Sequence, residues 1–339
     1  MAQPTARGLH LTLALLLIGL LLAACSAPPA APPAAEATTA PAAAAALRVA
    51  YASDLDPADI ADQLGLRALN ESGVEATTTM LNEDSAVVAA LLRGDIDIGN
   101  MDLTAAIKAY QVGVPLQVLM PANMAVEFVL IGQPGIKTVE DLRGKRVAFH
   151  APGSGTEILP RLLVRQSNSV SEEEVEWIVL PESPNRAAAM EADRIDVTAL
   201  EFADVLTLRE GGKPYELIAS FHDVAPEAIA TVWVTTNDFA AANEETLAKF
   251  VEAMGSGYDQ AREDKALWMS TAGELLDVPE ARLSETYDFY SQIAMFPDSP
   301  FFTADSWNRM NEFYISTGEF EDPAPLEFVN TLVRPAAGS

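Results

Sequence analysis

Carboxylates and amides stand where short apolar runs stop. Ser53 and Asp54 follow Leu47-Arg48-Val49-Ala50-Tyr51-Ala52. Asn100, Met101 and Asp102 follow Ile96-Asp97-Ile98, Asn123 follows Leu116 to Met120, and Glu201 with Phe202 follows Ile195 to Leu200. Such groups bind a ligand rich in hydrogen-bond donors or positive charge. They form no reaction centre, because no nucleophile stands with a base. The one cysteine, Cys25, and three histidines, His10, His150 and His222, leave no thiol enzyme in the body and little room for a zinc site. Asp54, Asp56 and Asp59 suggest calcium only superficially. The EF-hand pattern wants glycine in the place that Asp59 takes, so capping of a helix near Pro57 is the better account. Gly153-Ser154-Gly155-Thr156 is no P-loop, lacking the following Lys-Ser/Thr. It is no nucleophile elbow either, since Pro152 takes the first glycine place. Its backbone N–H groups can hold an anion or a polar edge, or Ser154 caps the next helix; both readings stand.

These residues need elements to place them, and the chain supplies alternating strands and helices. Leu47 to Ala52 reads as a strand, Pro57 to Asn70 as a helix, Val74 to Met80 as a strand, Asp84 to Arg93 as a helix, Ile96 to Ile98 as a strand and Leu103 to Val112 as a helix. Strands at Leu116 to Met120 and Phe128 to Ile131 follow. A second series has strands at Lys145 to His150, Trp177 to Leu180 and Ile195 to Leu200, with helices from Thr156 and Asn185. Strands at Tyr215 to Ser220 and Ala230 to Thr235 come next. Four helical segments then run from Asn243 to about Thr317. The alternation predicts α/β structure with mostly parallel sheets flanked by helices. In such sheets ligands sit beyond the carboxyl ends of the strands.

The chain echoes itself. Ala89 to Asp102 aligns without gaps to Ala188 to Glu201, and Arg48-Val49-Ala50-Tyr51 matches Arg146-Val147-Ala148-Phe149. Each long copy reads as a helix end, a tight turn and a strand, so two similar lobes are expected. Asp95 and Asp97 read as turn and strand-end residues with structural roles. Asp102 and Glu201 hold equivalent places in the two copies, and we expect them to face each other across a cleft and share one ligand.

The N-terminus reads as an address. The largely apolar stretch Leu11 to Ala24 follows Arg7. It is shorter than the roughly 20 residues a bilayer span needs, and it fits a secretory signal at 1–24. Leu22-Ala23-Ala24-Cys25 is similar to a bacterial lipobox, which makes Cys25 the expected lipid-attachment site. The Ala/Pro-rich segment to residue 46 is then a tether between the membrane and a body that starts near Leu47. Of 339 residues, 21 are Lys or Arg and 49 are Asp or Glu, a formal charge of −28. That balance disfavours nucleic acid as a partner. The apolar share of 49% is that of a folded protein.

Leu91-Leu92-Arg93-Gly94-Asp95-Ile96-Asp97-Ile98-Gly99 resembles the SsuA/THI5/NMT1-like family of ABC-transporter solute-binding proteins. So do Val139-Glu140-Asp141-Leu142-Arg143-Gly144-Lys145-Arg146-Val147-Ala148 and the Gly-Ser-Gly turn after it. The resemblance covers Leu47 to about Trp268. It implies a two-lobe periplasmic-binding-protein fold of type II. Lobe I would be 47–126 plus 229–339, and lobe II 127–228. It also implies a membrane permease and an ATPase as partners, an extracytoplasmic place, and binding in place of catalysis. One branch of the family makes a pyrimidine with a cysteine-rich motif, which this body lacks.

Charge narrows the ligand. Asp54, Asp102, Glu127 and Glu201 oppose an anion such as nitrate or a sulfonate. Tyr51, Phe149, Phe202 and Trp233 are candidate stacking surfaces, although core is the ordinary place for each. Acid plus aromatic points to a neutral or cationic heterocycle. Riboflavin, from the riboflavin-binding branch, is ranked first and a thiamine-pyrimidine precursor second. The candidate ligand-binding set is Ser53, Asp54, Asn100, Met101, Asp102, Asn123, Ser154, Gly155, Thr156, Glu201, Phe202 and Trp233, with no metal and no cofactor. A sensory lipoprotein or an extracytoplasmic hydrolase is the remote alternative.

Overall fold

The computed structural model describes residues 46–329; Cys25, the expected signal and nearly all of the expected tether lie outside them. The chain runs β1 (Leu47–Tyr51), a 3-10 turn at Pro57–Asp59, α1 (Ile60–Glu71), β2 (Ala76–Met80), α2 (Asp84–Arg93), β3 (Ile98–Asp102), α3 (Leu103–Gln111) and β4 (Leu116–Asn123). It crosses to β5 (Val129–Gly132) and repeats the series with β6 (Arg146–Phe149), α4 (Gly155–Ser167), β7 (Glu176–Val179), α5 (Ser183–Glu191), β8 (Val197–Leu200), α6 (Phe202–Glu210), β9 (Glu216–Ser220) and the short α7 (Phe221–Val224). It returns through β10 (Thr231–Thr236). The rest is helical: α8 (Asn237–Ala242), α9 (Glu244–Glu263), α10 (Lys265–Leu275), α11 (Glu280–Gln292) and α12 (Ala304–Thr317).

Two five-stranded sheets share one plan, β2-β1-β3-β10-β4 and β7-β6-β8-β5-β9. In each, four strands run one way and one runs against them. The reversed strands, β10 and β5, are the ones that enter from the other half of the chain. Helices cover both faces, so the central strands are buried along nearly their whole length, as expected for sheets of this kind.

The echo has a physical basis in two matched corners. Asp97 accepts from the backbone N–H of Arg48 at 2.8 Å and from its guanidinium at 3.0 and 2.5 Å. Asp196 does the same for Arg146 at 2.9, 2.9 and 2.8 Å. Asp97 N–H donates to Arg48 C=O and Asp196 N–H to Arg146 C=O, which locks each strand pair in register. Aligned positions Gly94 and Asp193 both take the left-handed turn, at φ 68° and 55°. Glycine does this freely, and aspartate is among the few residues that tolerate it.

The first half has a further brace. Helices α1 and α9 cross at Gly65 and Gly257. A Cβ on Gly257 would lie 2.2 Å from the Gly65 backbone nitrogen, so only glycine permits this approach. Apolar side chains of α1, α9, α10 and α11 pack on one face of the first sheet, while those of α5 and α6 cover one face of the second. Among the described residues no helix is long and apolar enough to cross a membrane.

Two expectations change. The strand expected at Ile96 to Ile98 starts at Ile98 and runs to Asp102, because Ile96 and Asp97 form the tied corner before it. The segment Phe202–Glu210, for which the sequence pattern predicts no helix, forms α6.

Candidate functional site

The two halves meet along the carboxyl ends of their strands. Asp56 lies in the loop after β1 and caps the turn at Pro57. It accepts from Ala58 N–H at 2.6 Å, and Asp59 returns the favour to Asp56 N–H at 3.0 Å. The capping read from the sequence near Pro57 is therefore present. Asp56 also faces the second half, where Glu201 and Asp204 open α6. Glu127, on the crossover between β4 and β5, completes this acidic corner. Its Oε2 accepts from Tyr290 OH of α11 at 2.7 Å.

No Lys or Arg of the described residues forms an ion pair with Asp56, Glu127, Glu201 or Asp204. Burial and mutual repulsion therefore push carboxyls up. Burial is the larger cause for Glu201, which reaches about 8, with Asp56 and Asp204 adding to it. Burial also raises Glu127 well above the usual range, helped by Asp56 and Glu201. Asp204 Oδ2 is buried with no hydrogen-bond partner among the described residues. Arg186 of α5 acts on Glu201 and Asp204 through its charge, but it bonds to backbone carbonyls and to none of the acids.

A second corner lies elsewhere in the gap. Asp102 shares a pocket with Gly155 at the start of α4, with Val126, Phe128 and Ala230 of the crossovers, and with Tyr314 of α12. Solvent reaches Asp102, yet the protein around it strips hydration and, with Asp84, pushes its carboxyl up; Lys108 opposes this. Val126 and Phe128 line this pocket, whereas Glu127 between them turns to the acidic corner, as alternation along an extended chain requires.

Asp102 and Glu201 thus do not face one another. The loop after β1 meets the start of α6, and the end of β3 meets the start of α4. The echo identified the equivalent positions, and the expected direct facing is corrected, because each carboxylate has different neighbours from the other half.

Several expected site residues turn inward. Trp233 is fully buried and donates to Tyr258 OH at 2.9 Å, which donates to Asp62 Oδ1 at 2.9 Å. Asn100 donates to Asp62 Oδ2 at 3.0 Å, and burial pushes that carboxyl up to about 7. Met101 and Asn123 are buried as well, because β3 and β4 continue through them. Thr156 is buried and accepts from His150 N–H, while the Ser154 hydroxyl bonds to Thr156. Gly153 N–H donates to Glu157 at 2.7 Å, so this helix start already holds a carboxylate. Ser53 and Asp54 are exposed on the loop after β1. Phe202 stacks on Phe289 of α11 with ring centroids 4.0 Å apart. Of the stacking candidates, Tyr51, Phe149 and Trp233 are core, and only Phe202 borders the gap. Asp56, Asp204, Arg186 and Tyr290 went unread as site residues, since they come from four separate elements and share no motif. Among the described residues no group of three His, Cys, Asp or Glu is placed to hold a metal ion.

Comparison with known proteins gives the family and the fold. A family model described as NMT1/THI5 like matches residues 69–266, more than half of the chain. The taurine-binding periplasmic protein of Escherichia coli (strain K12) is 27% identical over 208 residues, covering 60% of this chain and 63% of that protein. The chain thus spans less than two thirds of that relative's length. Among solved structures, the ligand-binding component of an ABC-type import system from Staphylococcus aureus, with zinc bound, superposes with a TM-score of 0.71 at 15% identity. It covers 87% of this chain and 99% of that one. The alkanesulfonate-binding protein SsuA from Xanthomonas axonopodis pv. citri, bound to MOPS, gives 0.65 at 19% identity, covering 82% and 95%. These likenesses show a shared fold, the periplasmic-binding-protein fold.

Proposed function

The chain belongs to the NMT1/THI5-like family, and from that premise we propose that it is the extracytoplasmic solute-binding component of an ABC importer. In this reading the lobe formed by 47–126 and 229–339 closes with the lobe 127–228 on a small solute. The closed protein hands the solute to a permease driven by an ATPase, and a lipid on Cys25 keeps it at the membrane. The taurine-binding relative and the sulfonate-binding neighbour support the role.

One observation carries the ligand class: Asp56, Glu127, Glu201 and Asp204 gather in the gap without an ion-pair partner among the described residues. Carboxylates brought together out of water are costly when ionised, so they hold protons, as the raised Glu127 and Glu201 do, until a positive group joins them. The ligand is therefore a small organic solute with a positively charged nitrogen. Taurine meets that condition through its ammonium group, although its sulfonate finds Glu157 already seated at the start of α4. Riboflavin is the second reading, favoured by the Phe202–Phe289 stack at the edge of the gap, but three of its four expected stacking surfaces are core.

Titration calorimetry with putrescine, taurine, an aminopyrimidine, riboflavin and nitrate tests the class. Heat with an amine and none with nitrate is the expected result. Tight nitrate binding with silent amines refutes it. Loss of flavin emission on mixing transfers the assignment to riboflavin.

A further inference from the structure

Arg186 is the unusual side chain of the second half. It is only 1% exposed, and a buried guanidinium ordinarily pairs with a carboxylate. Here it bonds to backbone instead. Its Nε donates to Ala199 C=O at 3.1 Å and its Nη1 to Leu180 C=O at 3.3 Å. Ala199 lies in β8, two residues before Glu201, and Leu180 lies one residue past β7. In the sheet β6 separates those strands, so the guanidinium spans the end of β6 and clips its two neighbours together. Ser183, at the start of the same helix, accepts from Glu201 N–H at 3.2 Å. Helix α5 therefore fixes the end of β8 at two points, Ala199 C=O and Glu201 N–H, which flank Leu200 just before the Glu201 side chain.

The groups that face Glu201 are mostly acids. Asp56 comes from the loop after β1, Glu127 from the crossover, Asp204 from α6 and Glu182 from the lead into α5, while the Tyr290 hydroxyl comes from α11. Arg186 is the positive group set against them, and the field it feels comes from Glu201, Asp204 and Glu182.

We propose that Arg186 is a positioning residue for ligand recognition. By clipping β8 to β7 and setting a positive charge against the surrounding acids, it holds Glu201 in place at the gap and eases the loss of its proton when the ligand's cationic nitrogen arrives. This rests on the cationic-solute reading above, and it selects for charge: a neutral solute gains nothing from an ionised Glu201. Arginine suits the task because its planar fork reaches two carbonyls and stays charged when buried, which a lysine does less well.

The test follows the Glu201 carboxyl itself in unliganded protein. Its carbon-13 resonance is assigned with Glu201→Gln and titrated in the parent, Arg186→Gln and Arg186→Lys. Without the positive charge the midpoint moves up by about one pH unit, a tenfold change in the ratio of acid to carboxylate. Arg186→Lys, which keeps a charge, stays closer to the parent than Arg186→Gln does. An unchanged midpoint in folded Arg186→Gln overturns the proposal. If that variant does not fold, Arg186→Lys decides alone: a rise of a full unit or more despite the retained charge overturns it, and a smaller rise supports it. A purely structural clip would lower the melting temperature without moving the midpoint. Because no ligand is present, failure of the cationic-solute reading shows separately, as silent amines in calorimetry while the midpoint still shifts.

Discussion

The corners that hold Arg48 to Asp97 and Arg146 to Asp196 are near copies, whereas the cleft corners that carry Asp102 and Glu201 are not. In the first pair the partners, hydrogen bonds and left-handed turn all recur. In the second, Asp102 looks towards Gly155, Asp84 and Lys108, and Glu201 looks towards Asp56, Asp204 and Arg186. Strand register is set by residues that bond within one half, so both halves keep it. A cleft surface is set by what the other half and the C-terminal helices bring, and that differs from corner to corner. The halves differ in support as well: α1 and α9 brace only the first.

Removing that brace is expected to have the largest effect. Gly257→Ala drives a methyl group into the Gly65 backbone, and overpacking of this kind costs about 1–3 kcal/mol or more. Gly255→Ala on the same helix meets nothing nearer than Pro300 at 3.9 Å. It is expected to be neutral or to stabilise by up to about 1 kcal/mol, since alanine favours helix. Urea denaturation of both variants checks this. Equal midpoints for the two would mean that the helices do not cross this closely in solution.

The matched corners can be broken one at a time. Asp97→Ala leaves the Arg48 N–H and guanidinium without their acceptor, at about 1–3 kcal/mol. The Asp97 side chain is 8% exposed and Asp196 23%, so Asp196→Ala is expected to cost less, water replacing more of what is lost. A larger loss at Asp196 would show that the copies differ in load despite their geometry.

The same contrast explains what could be read from sequence. The echo of Ala89 to Asp102 in Ala188 to Glu201 placed both corners and both strands, because a register tied by Arg and Asp leaves a local pattern. The reversed direction of β5 and β10 left none, since it depends on which half each strand enters. Trp233, Asn100 and Met101 were expected at the cleft because they end an apolar run. They became core because β3 lies inside its sheet and Asp62 supplies the buried acceptor for Asn100 and Tyr258. Glu127 and Glu201 were legible as acids after strands. Asp56 was legible only as a cap, and Asp204, Arg186 and Tyr290 not at all, because a cluster drawn from distant elements has no spacing to read.

The smallest expected effect separates the two cleft corners by pH. Glu201 carries a carboxyl at about 8 in the folded protein, against about 4.3 in an unfolded chain. Between those values the folded state holds a proton that the unfolded state has released. Stability of the unliganded protein therefore falls as pH rises from about 5 to about 8. Glu201→Gln removes that proton difference, so its stability should fall less steeply over the same window. Asp102 is likewise raised to about 8, by the protein around it and by Asp84, but solvent reaches its side chain and screens both effects, so Asp102→Asn should flatten the curve less. Asp62, raised to about 7 by burial, contributes equally to all three proteins and cancels in the comparison. Thermal melts of the parent and both variants at several pH values between about 5 and 8 give the slopes. A steeper dependence in Glu201→Gln, or a greater flattening from Asp102→Asn, would reverse the ranking of the corners and move the principal charge of the cleft to the Asp102 side.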